Sequence, residues 1–172
     1  MHHVFQPFPI EDLDFNPFKK FRDEGAALVI KDTANKRINA TYIKYGTVGN
    51  LYDRNVAALY LRKSTYTSEL MKKEDYVTIN FFDMDIKGIR SSLKFMEMAS
   101  GRDEDKIKEL GMHIDADGDA PYLDEANFVI VCRIIACMDL NESSLLADED
   151  VKKLQEQDLV VFMTEIVNAF AR

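Results

Sequence analysis

The sequence predicts a mainly β protein, a Greek-key-type antiparallel barrel flanked by a few helices. Most of its apolar segments are short, rich in β-branched and aromatic residues, and bounded by turn residues, as strands are. Helical segments are few and do not alternate regularly with the strands, which favours a barrel over a parallel sheet. With 172 residues, of which 47% are hydrophobic, the chain is expected to form one domain spanning residues 1–172.

The N-terminal part is predicted to hold a short helix followed by strands. Asn16 is suited to cap this helix, Pro17 to open it and Gly25 to end it. The spacing of Gly46 and Gly49 is interpreted as a tight turn after a strand. The predicted strands span Ala26–Lys31, Arg37–Tyr45, Asn55–Leu61 and Asp75–Phe82.

Three further helices are predicted in the middle of the chain. Tyr66–Lys73 is headed by hydroxyl residues, and Ile86–Met98 has a helical apolar period. A third helix is expected to start with Asp103 as its N-cap and to run to Leu110. The acidic stretch Asp115–Glu125 is interpreted as a turn between elements, because Gly118 is misplaced for a calcium-binding loop.

The C-terminal part is predicted to complete the sheet. Phe128–Met138 is apolar on both faces for nearly all its length, as expected for a central strand or for one buried at a subunit contact. Residues 141–157 read as a polar excursion with a short helix at its end, and Leu159–Phe170 closes the sheet. Cys132 and Cys137 are predicted to point to opposite faces of one strand and to be reduced core thiols.

The charge of the chain limits its partners. A net charge of −8 and an isoelectric point near 4.9 argue against nucleic acid and against an anionic membrane. No signal-peptide pattern opens the chain and no apolar run reaches the length of about 18 residues that a membrane span needs, so we expect a cytoplasmic protein. The Cys and His residues have no metal-site spacing, and His113, the only His away from the start, gives hydrolytic chemistry little support.

The segment Ser100–Lys106 has the composition of an anion-binding loop. Its sequence, S-G-R-D-E-D-K, combines a hydroxyl, a Gly and two cations with acidic residues that can start a helix. Arg102 and Lys106 could meet a phosphate at the positive end of that helix. The alternative interpretation is a capped surface helix with no ligand.

Five segments of the chain carry a resemblance to a known family. They are Arg37–Gly49, Leu61–Glu69, Tyr76–Phe82, Ser100–Lys106 and Glu125–Cys132. In this order they resemble the flavin reductase-like family of FMN-binding split barrels, which includes the flavoredoxins. The match to the family's S-G-R-D-x-D-K motif is complete, and the other matches are partial. The resemblance implies FMN as cofactor, NADH or NADPH as co-substrate, and a homodimer.

The resemblance also implies a function. A flavin reductase-type oxidoreductase takes hydride from a reduced nicotinamide onto its flavin, which requires stacking and orientation more than acid–base residues. No catalytic residue is assigned. The alternative is a flavoredoxin-like electron carrier, or a degenerate split barrel that has lost efficient FMN binding.

The family motifs place a cofactor site on particular residues. Arg62, Thr67 and Lys106 are implied at the phosphate, whereas Asn39, Tyr45 and Gly46 are implied near the flavin ring. The full predicted set is Asn39, Thr41, Lys44, Tyr45, Gly46, Arg62, Thr65, Tyr66, Thr67, Phe82, Ser100, Arg102 and Lys106.

Two departures from the family pattern fall inside this predicted site. Thr65 stands where the family has Arg, so one cation is lost, and Lys44 replaces a small hydroxyl residue. Lys44 could make good the missing charge, or it could crowd the pocket. The sequence leaves both alternatives open.

Overall fold

The computed structural model describes residues 3–141, 153–154 and 156–172. Antiparallel pairing joins the strands of this part of the chain. In this part of the chain the strands are β1 Gln6–Pro7, β2 Ala26–Asp32, β3 Arg37–Ile43, β4 Gly46–Leu51, β5 Arg54–Arg62, β6 Tyr76–Phe81, β7 Ile114–Asp117, β8 Ala120–Leu123, β9 Phe128–Asp139 and β10 Leu159–Ala171. The α-helices are α1 Pro17–Lys19, α2 Tyr66–Met71, α3 Ile89–Met98 and α4 Lys106–Glu109.

The sheet has the order β3-β2-β6-β9-β10-β5-β4, with β1 added to β10, and β7 and β8 form a separate hairpin. Every pair is antiparallel, so the predicted mainly β antiparallel architecture is confirmed. β3 and β4 follow one another in the chain, yet they lie at the two ends of the strand order. The sheet is therefore split between these two strands.

The helical segment before β2 packs beside the split. α1 continues into a π-helical turn, Lys20–Glu24, and the buried Phe21 of this turn joins the core. A Cβ on Gly46 would lie 2.6 Å from the Phe21 ring, so the first residue of β4 needs to be small. On the other strand, the Tyr42 hydroxyl donates to the Glu24 carbonyl at 2.9 Å. The turn thus contacts both β3 and β4.

Strand alternation separates two apolar cores. Successive side chains of a strand point to opposite faces, and β2 is buried on both of them. Leu28 and Ile30 belong to the larger core inside the barrel, together with Phe81. Val29 belongs to the second core, which α3 and the β7–β8 hairpin cover and which contains Phe82.

Several local signals act as the sequence predicts. The Asn16 side chain accepts a hydrogen bond from the Lys19 N–H at 3.2 Å, and Pro17 opens α1. The helical segment ends at Gly25, which has a φ of 72°. The Thr65 hydroxyl accepts from the Ser68 N–H at 3.2 Å and so caps α2. These helix ends are confirmed because each depends on residues that are close in sequence.

Two predicted helix starts are wrong. α4 begins at Lys106, and its cap is Asp105, whose side chain accepts from the Lys108 N–H at 3.2 Å. Asp103 instead lies in a turn, where its N–H donates to the Ser100 carbonyl at 3.2 Å. α3 begins at Ile89 because residues 84–88 form turns ahead of it.

Two segments predicted as turns are strands. The Gly46–Gly49 segment belongs to β4, which pairs with β5 in the register Gly46↔Leu59. The acidic stretch forms the β7–β8 hairpin, in the register Ile114↔Leu123. β4 and β7 are exposed along much of their length and lie at sheet edges. They therefore lack the apolar alternation that identifies a strand from sequence.

β9 is buried along only part of its length. It pairs with β6 as far as Arg133 and continues along β10 to Asp139. In its distal half Ile135 and Met138 are 38% and 51% exposed. Cys132 is buried, which raises the pKa of its thiol to about 12, but Cys137 is exposed, so the prediction of two core thiols is wrong for Cys137. The predicted polar excursion at residues 141–157 lies mostly outside the described residues.

Candidate functional site

Three segments that are distant in sequence meet at the start of α2. They are β3, the Tyr66–Thr67 segment and the turn at Ser100–Asp103. The Asn39 amide donates to the Thr67 hydroxyl at 2.8 Å, and both side chains are buried. A Cβ on Gly101 would lie 2.0 Å from Asn39 Oδ1 and 3.1 Å from the Tyr66 ring. Only glycine therefore lets the turn pack this closely on the other two segments.

β3 presents its polar side chains to this meeting point by alternation. Arg37, Asn39 and Thr41 occupy every second position, so they share one face of the strand. Across from Arg37 stands Asp32 of β2, which places a carboxylate beside the guanidinium. α2 lies against this face, as the contact between Asn39 and Thr67 shows.

A cavity of about 450 Å³ opens at the same place, lined by Asn35, Arg37, Tyr66 and Arg102. Its size falls in the range of roughly 300–1,000 Å³ that is common for ligand pockets. The guanidinium carbons of Arg37 and Arg102 each lie 5.5 Å from the centre of the Tyr66 ring. The cavity is polar, and its lining carries two permanent positive charges on a chain whose net charge is −8.

A buried carboxylate holds one side of this cavity. Asp32 is 1% exposed and accepts from the Tyr66 hydroxyl at 2.5 Å, from the Asn35 amide at 2.9 Å and from Arg37 Nε at 3.0 Å. Burial raises the pKa of Asp32, but these hydrogen bonds outweigh it and lower the pKa to about 2. Asp32 is therefore ionised at neutral pH and fixes three of the four residues that line the cavity.

The other side of the cavity is more open. The Arg102 guanidinium donates to the Ser64 carbonyl at 3.3 Å and forms an ion pair with Glu69. The side chains of Arg102 and Glu69 are 42% and 46% exposed, so water screens their attraction. The Ser100 hydroxyl accepts from the Arg102 N–H at 3.2 Å, which shapes the turn. An incoming anion can therefore take the place of Glu69 beside Arg102.

Lys106 has a different environment from the one the motif implies. Its side chain is buried, and its Nζ donates to the Met96 carbonyl at 3.0 Å, near the C-terminal end of α3. Burial lowers the pKa of Lys106 to about 8, although the nearby charge of Glu104 acts in the opposite direction. Lys106 is the first residue of α4, and its side chain reaches the last turn of α3 instead of the cavity lining.

The remaining predicted residues lie in three other places. Lys44 and Tyr45 form the connection across the split, and Gly46 opens β4. Lys44 Nζ lies 5.9 Å from the Tyr42 ring. Tyr42 is on the opposite face of β3 from Asn39, so Lys44 points away from the cavity. Arg62 donates to the Gln157 amide oxygen at 2.9 Å, and Phe82 is buried under α3. The lining thus contains two of the thirteen predicted residues, Tyr66 and Arg102, while Asn39, Thr65, Thr67 and Ser100 shape its surroundings.

Sequence reasoning missed Asp32, Asn35 and Arg37. Arg37 lies two positions before Asn39, so strand alternation alone places both on one face. Asp32 and Asn35 flank the β2–β3 turn, where polar residues are ordinarily solvated turn formers. The signal that was available was the spacing from Arg37 to Asn39, whereas the role of Asp32 depends on Tyr66, which is 34 residues away.

Comparison with known proteins gives a result at the level of the fold. No family model matches the chain, and no curated protein matches it in sequence. Among solved structures, flavoredoxin from Methanosarcina acetivorans superposes with a TM-score of 0.68 at 16% identity, covering 87% of this chain and 68% of that one. An FMN-binding domain of a flavin reductases-like enzyme from Shewanella baltica gives 0.64 at 14% identity, with coverages of 99% and 78%.

A third solved structure extends the set of neighbours. The NADH:FAD oxidoreductase of Streptomyces globisporus gives a TM-score of 0.65 at 9% identity, covering 87% of this chain and 75% of that one. The chain therefore has the fold of the FMN-binding split barrels, as the resemblance in its motifs predicts. Identities this low establish the fold and leave the chemistry to be argued from the site.

Proposed function

We propose that this protein binds FMN and works as a flavin reductase-type oxidoreductase. The observation that carries the proposal is the convergence of the Ser100–Asp103 turn, Asn39 and the start of α2 on a cavity with two guanidinium groups. These are the segments that resemble FMN-binding sequences, and the fold is shared with FMN-binding proteins.

The residues at the cavity fit the phosphate end of FMN. The two guanidinium groups are donors that suit phosphate oxygens, because Arg is well matched to phosphate geometry. The lining is polar, so the flat ring is expected to lie outside it, towards residues such as the 68% exposed Tyr45. When bound, a flavin would supply hydride and electron transfer, while the protein supplies binding and orientation.

The described residues include no cluster of three or more His, Cys, Asp or Glu that could hold a metal, and none of the described helices is long and apolar enough to cross a bilayer.

The electron donor is a second part of the proposal. We propose NADH or NADPH as the source of electrons because the fold is shared with an NADH:FAD oxidoreductase. The alternative, an electron carrier, needs the same flavin site without rapid nicotinamide turnover.

A direct binding experiment tests the proposal. Purified protein should be titrated with FMN and with riboflavin, and followed by flavin fluorescence and visible absorbance. We expect FMN to bind more tightly by about 10-fold or more, because riboflavin lacks the phosphate that the guanidinium groups would meet. Equal affinity for both would remove the phosphate assignment, and no binding of either would reject the flavoprotein.

NADH and NADPH oxidation by the FMN-loaded protein then separates the reductase from the carrier. Rapid multiple turnover with excess FMN as acceptor supports the reductase. FMN binding with no nicotinamide oxidation supports the carrier.

A homodimer is also proposed. The distal half of β9 exposes Ile135 and Met138 beside Cys137, and monomeric proteins rarely expose a run of apolar side chains along one strand. A second copy of the chain would cover these residues, as the sequence pattern of β9 predicts.

A further inference from the structure

We infer that Arg37 is a phosphate-binding residue and forms, with Arg102, a two-guanidinium site for a phosphomonoester dianion. This inference rests on the proposed function and names the residues that hold the anionic end of its ligand. Arg37 opens the Arg37–Gly49 segment but is not among the cofactor-site residues predicted from sequence, and its place in the cavity lining identifies it.

Arg37 is already oriented for binding. Its Nε donates to Asp32 at 3.0 Å, and its Nη2 donates to the Gly101 carbonyl at 2.6 Å. The guanidinium also lies against the Tyr66 ring. A side chain fixed in this way loses little conformational entropy when a ligand binds. Its side chain is 26% exposed, which leaves it within reach of the cavity.

The two guanidinium groups differ in how their counter-charges are held. Asp32 is buried, and its carboxylate accepts hydrogen bonds from four donors, so it remains paired with Arg37. Glu69 is about half exposed, and its pair with Arg102 is of the kind that contributes little free energy. A dianion entering the cavity can therefore take the place of Glu69 on Arg102 while Arg37 stays in position. The site therefore combines one cation whose counter-charge is fixed, Arg37, with one whose counter-charge can be displaced, Arg102.

The charge balance gives this arrangement a measurable consequence. Two guanidinium groups face one buried and one exposed carboxylate, so the site is close to neutral before ligand binds. Glu69→Gln removes the competitor of the ligand without touching the buried network. We expect this variant to bind FMN more tightly by a few-fold, and riboflavin with unchanged affinity.

Arg37 is tested in a background that keeps the buried charges balanced. Arg37→Gln alone leaves Asp32 buried without its cation and endangers folding. The double variant Asp32→Asn, Arg37→Gln removes both charges together, and Asp32→Asn alone is its reference. Arg22→Gln is the matched control, because Arg22 is exposed and pairs only with its neighbour Asp23 among the described residues. Circular dichroism and thermal unfolding establish that each variant is folded before titration.

The expected result is a selective loss. The double variant should bind FMN about 10- to 100-fold more weakly than Asp32→Asn, with riboflavin affinity unchanged. Its FMN affinity should also depend less on sodium chloride concentration, because one screened charge pair is gone. Arg22→Gln should behave as wild type. Equal FMN affinities for the double variant and Asp32→Asn would overturn the inference and leave the proposed flavoprotein intact.

Inorganic phosphate separates failure of the inference from failure of the proposed function. If the wild-type protein binds no flavin, phosphate should still raise its thermal midpoint, and the double variant should lose that effect. This outcome would reject the flavoprotein and keep the Arg37–Arg102 site for another phosphomonoester. A wild-type protein that responds to neither flavin nor phosphate would overturn both.

Discussion

Asp32 shows how a single buried charge organises the candidate site. Its folded-state pKa of about 2 lies below the ordinary value of 3.8, so its stabilising contribution is present above about pH 4 and is lost as the pH falls towards 2. We predict that the wild-type protein loses about 2 kcal/mol more unfolding free energy than Asp32→Asn between about pH 5 and pH 2. Urea denaturation of both proteins across this range measures the difference. Parallel acid profiles would mean that Asp32 is not specifically stabilised as a carboxylate.

Lys106 gives a dependence of the same sign as Asp32, but at higher pH. Its folded-state pKa of about 8 lies below the ordinary value of 10.5, so the unfolded chain binds the proton more tightly between these values. Stability relative to Lys106→Met should therefore rise by about 2–3 kcal/mol as the pH increases from about 7 to about 10. Denaturation at the two pH values tests this.

The same variant tests the location of the Lys106 ammonium. Because Nζ contacts the Met96 carbonyl, Lys106→Met should keep the preference for FMN over riboflavin. A selective loss of FMN binding would show that Lys106 reaches the phosphate after all.

Gly101 is required by its neighbours. A methyl group there would collide with Asn39 Oδ1, which is buried and bonded to Thr67. We predict that Gly101→Ala lowers the unfolding free energy by about 1–3 kcal/mol and weakens FMN binding. Gly49→Ala is the control, since a Cβ on Gly49 meets nothing within 4 Å. Similar stabilities for the two variants would show that the turn packs less closely on Asn39.

At the scale of the element, the start of α4 separates two neighbouring acidic residues. Asp105 caps the helix, whereas Asp103 is exposed in the preceding turn. Asp105→Ala should therefore cost about 1 kcal/mol of stability, and Asp103→Ala should stay within about 0.5 kcal/mol of wild type. Thermal or urea unfolding of the pair measures the contrast. The reverse order would restore the helix start that the sequence pattern suggested.

Elements at the edges of the sheet were the hardest to predict. β4 and β7 have few apolar residues, and they are strands because β5 and β8 pair with them. β2 and β6 were predictable because they are buried on both faces and so carry long apolar runs. Strand formation at an edge depends on the partner more than on the strand's own sequence.

At the scale of the whole molecule, the exposed end of β9 predicts self-association. Met138→Lys places a charge on this surface, and an exposed position tolerates it in a monomer. We expect the wild type to sediment as a dimer at micromolar concentration, and Met138→Lys to sediment as a monomer with nearly unchanged thermal stability. Ile86→Lys is the control, because Ile86 is 43% exposed and follows β6, which pairs with the other end of β9. A monomeric wild type would reject the homodimer.

The sequence by itself determined what local chemistry decides. It determined the mainly β class, most strands of the sheet, the cap at Asn16, the hydroxyl-rich start of α2, and the loop containing Arg102 as an anion-binding candidate. Each of these depends on residues within a few positions of one another, or on a period along one strand. The same limitation explains the wrong cap at Asp103, since nearby acidic residues are equally good caps on sequence alone.

Only the tertiary structure decided which charges meet. Arg37 and Gly101 are 64 positions apart, and their contact follows from the packing of α2 and the Ser100–Asp103 turn on β3. Packing also buried Lys106, which the motif placed at the phosphate, and left Arg102 in the cavity. A charged side chain binds a ligand only where the fold leaves it exposed and oriented, and this depends on the register of strands and the position of turns far along the chain.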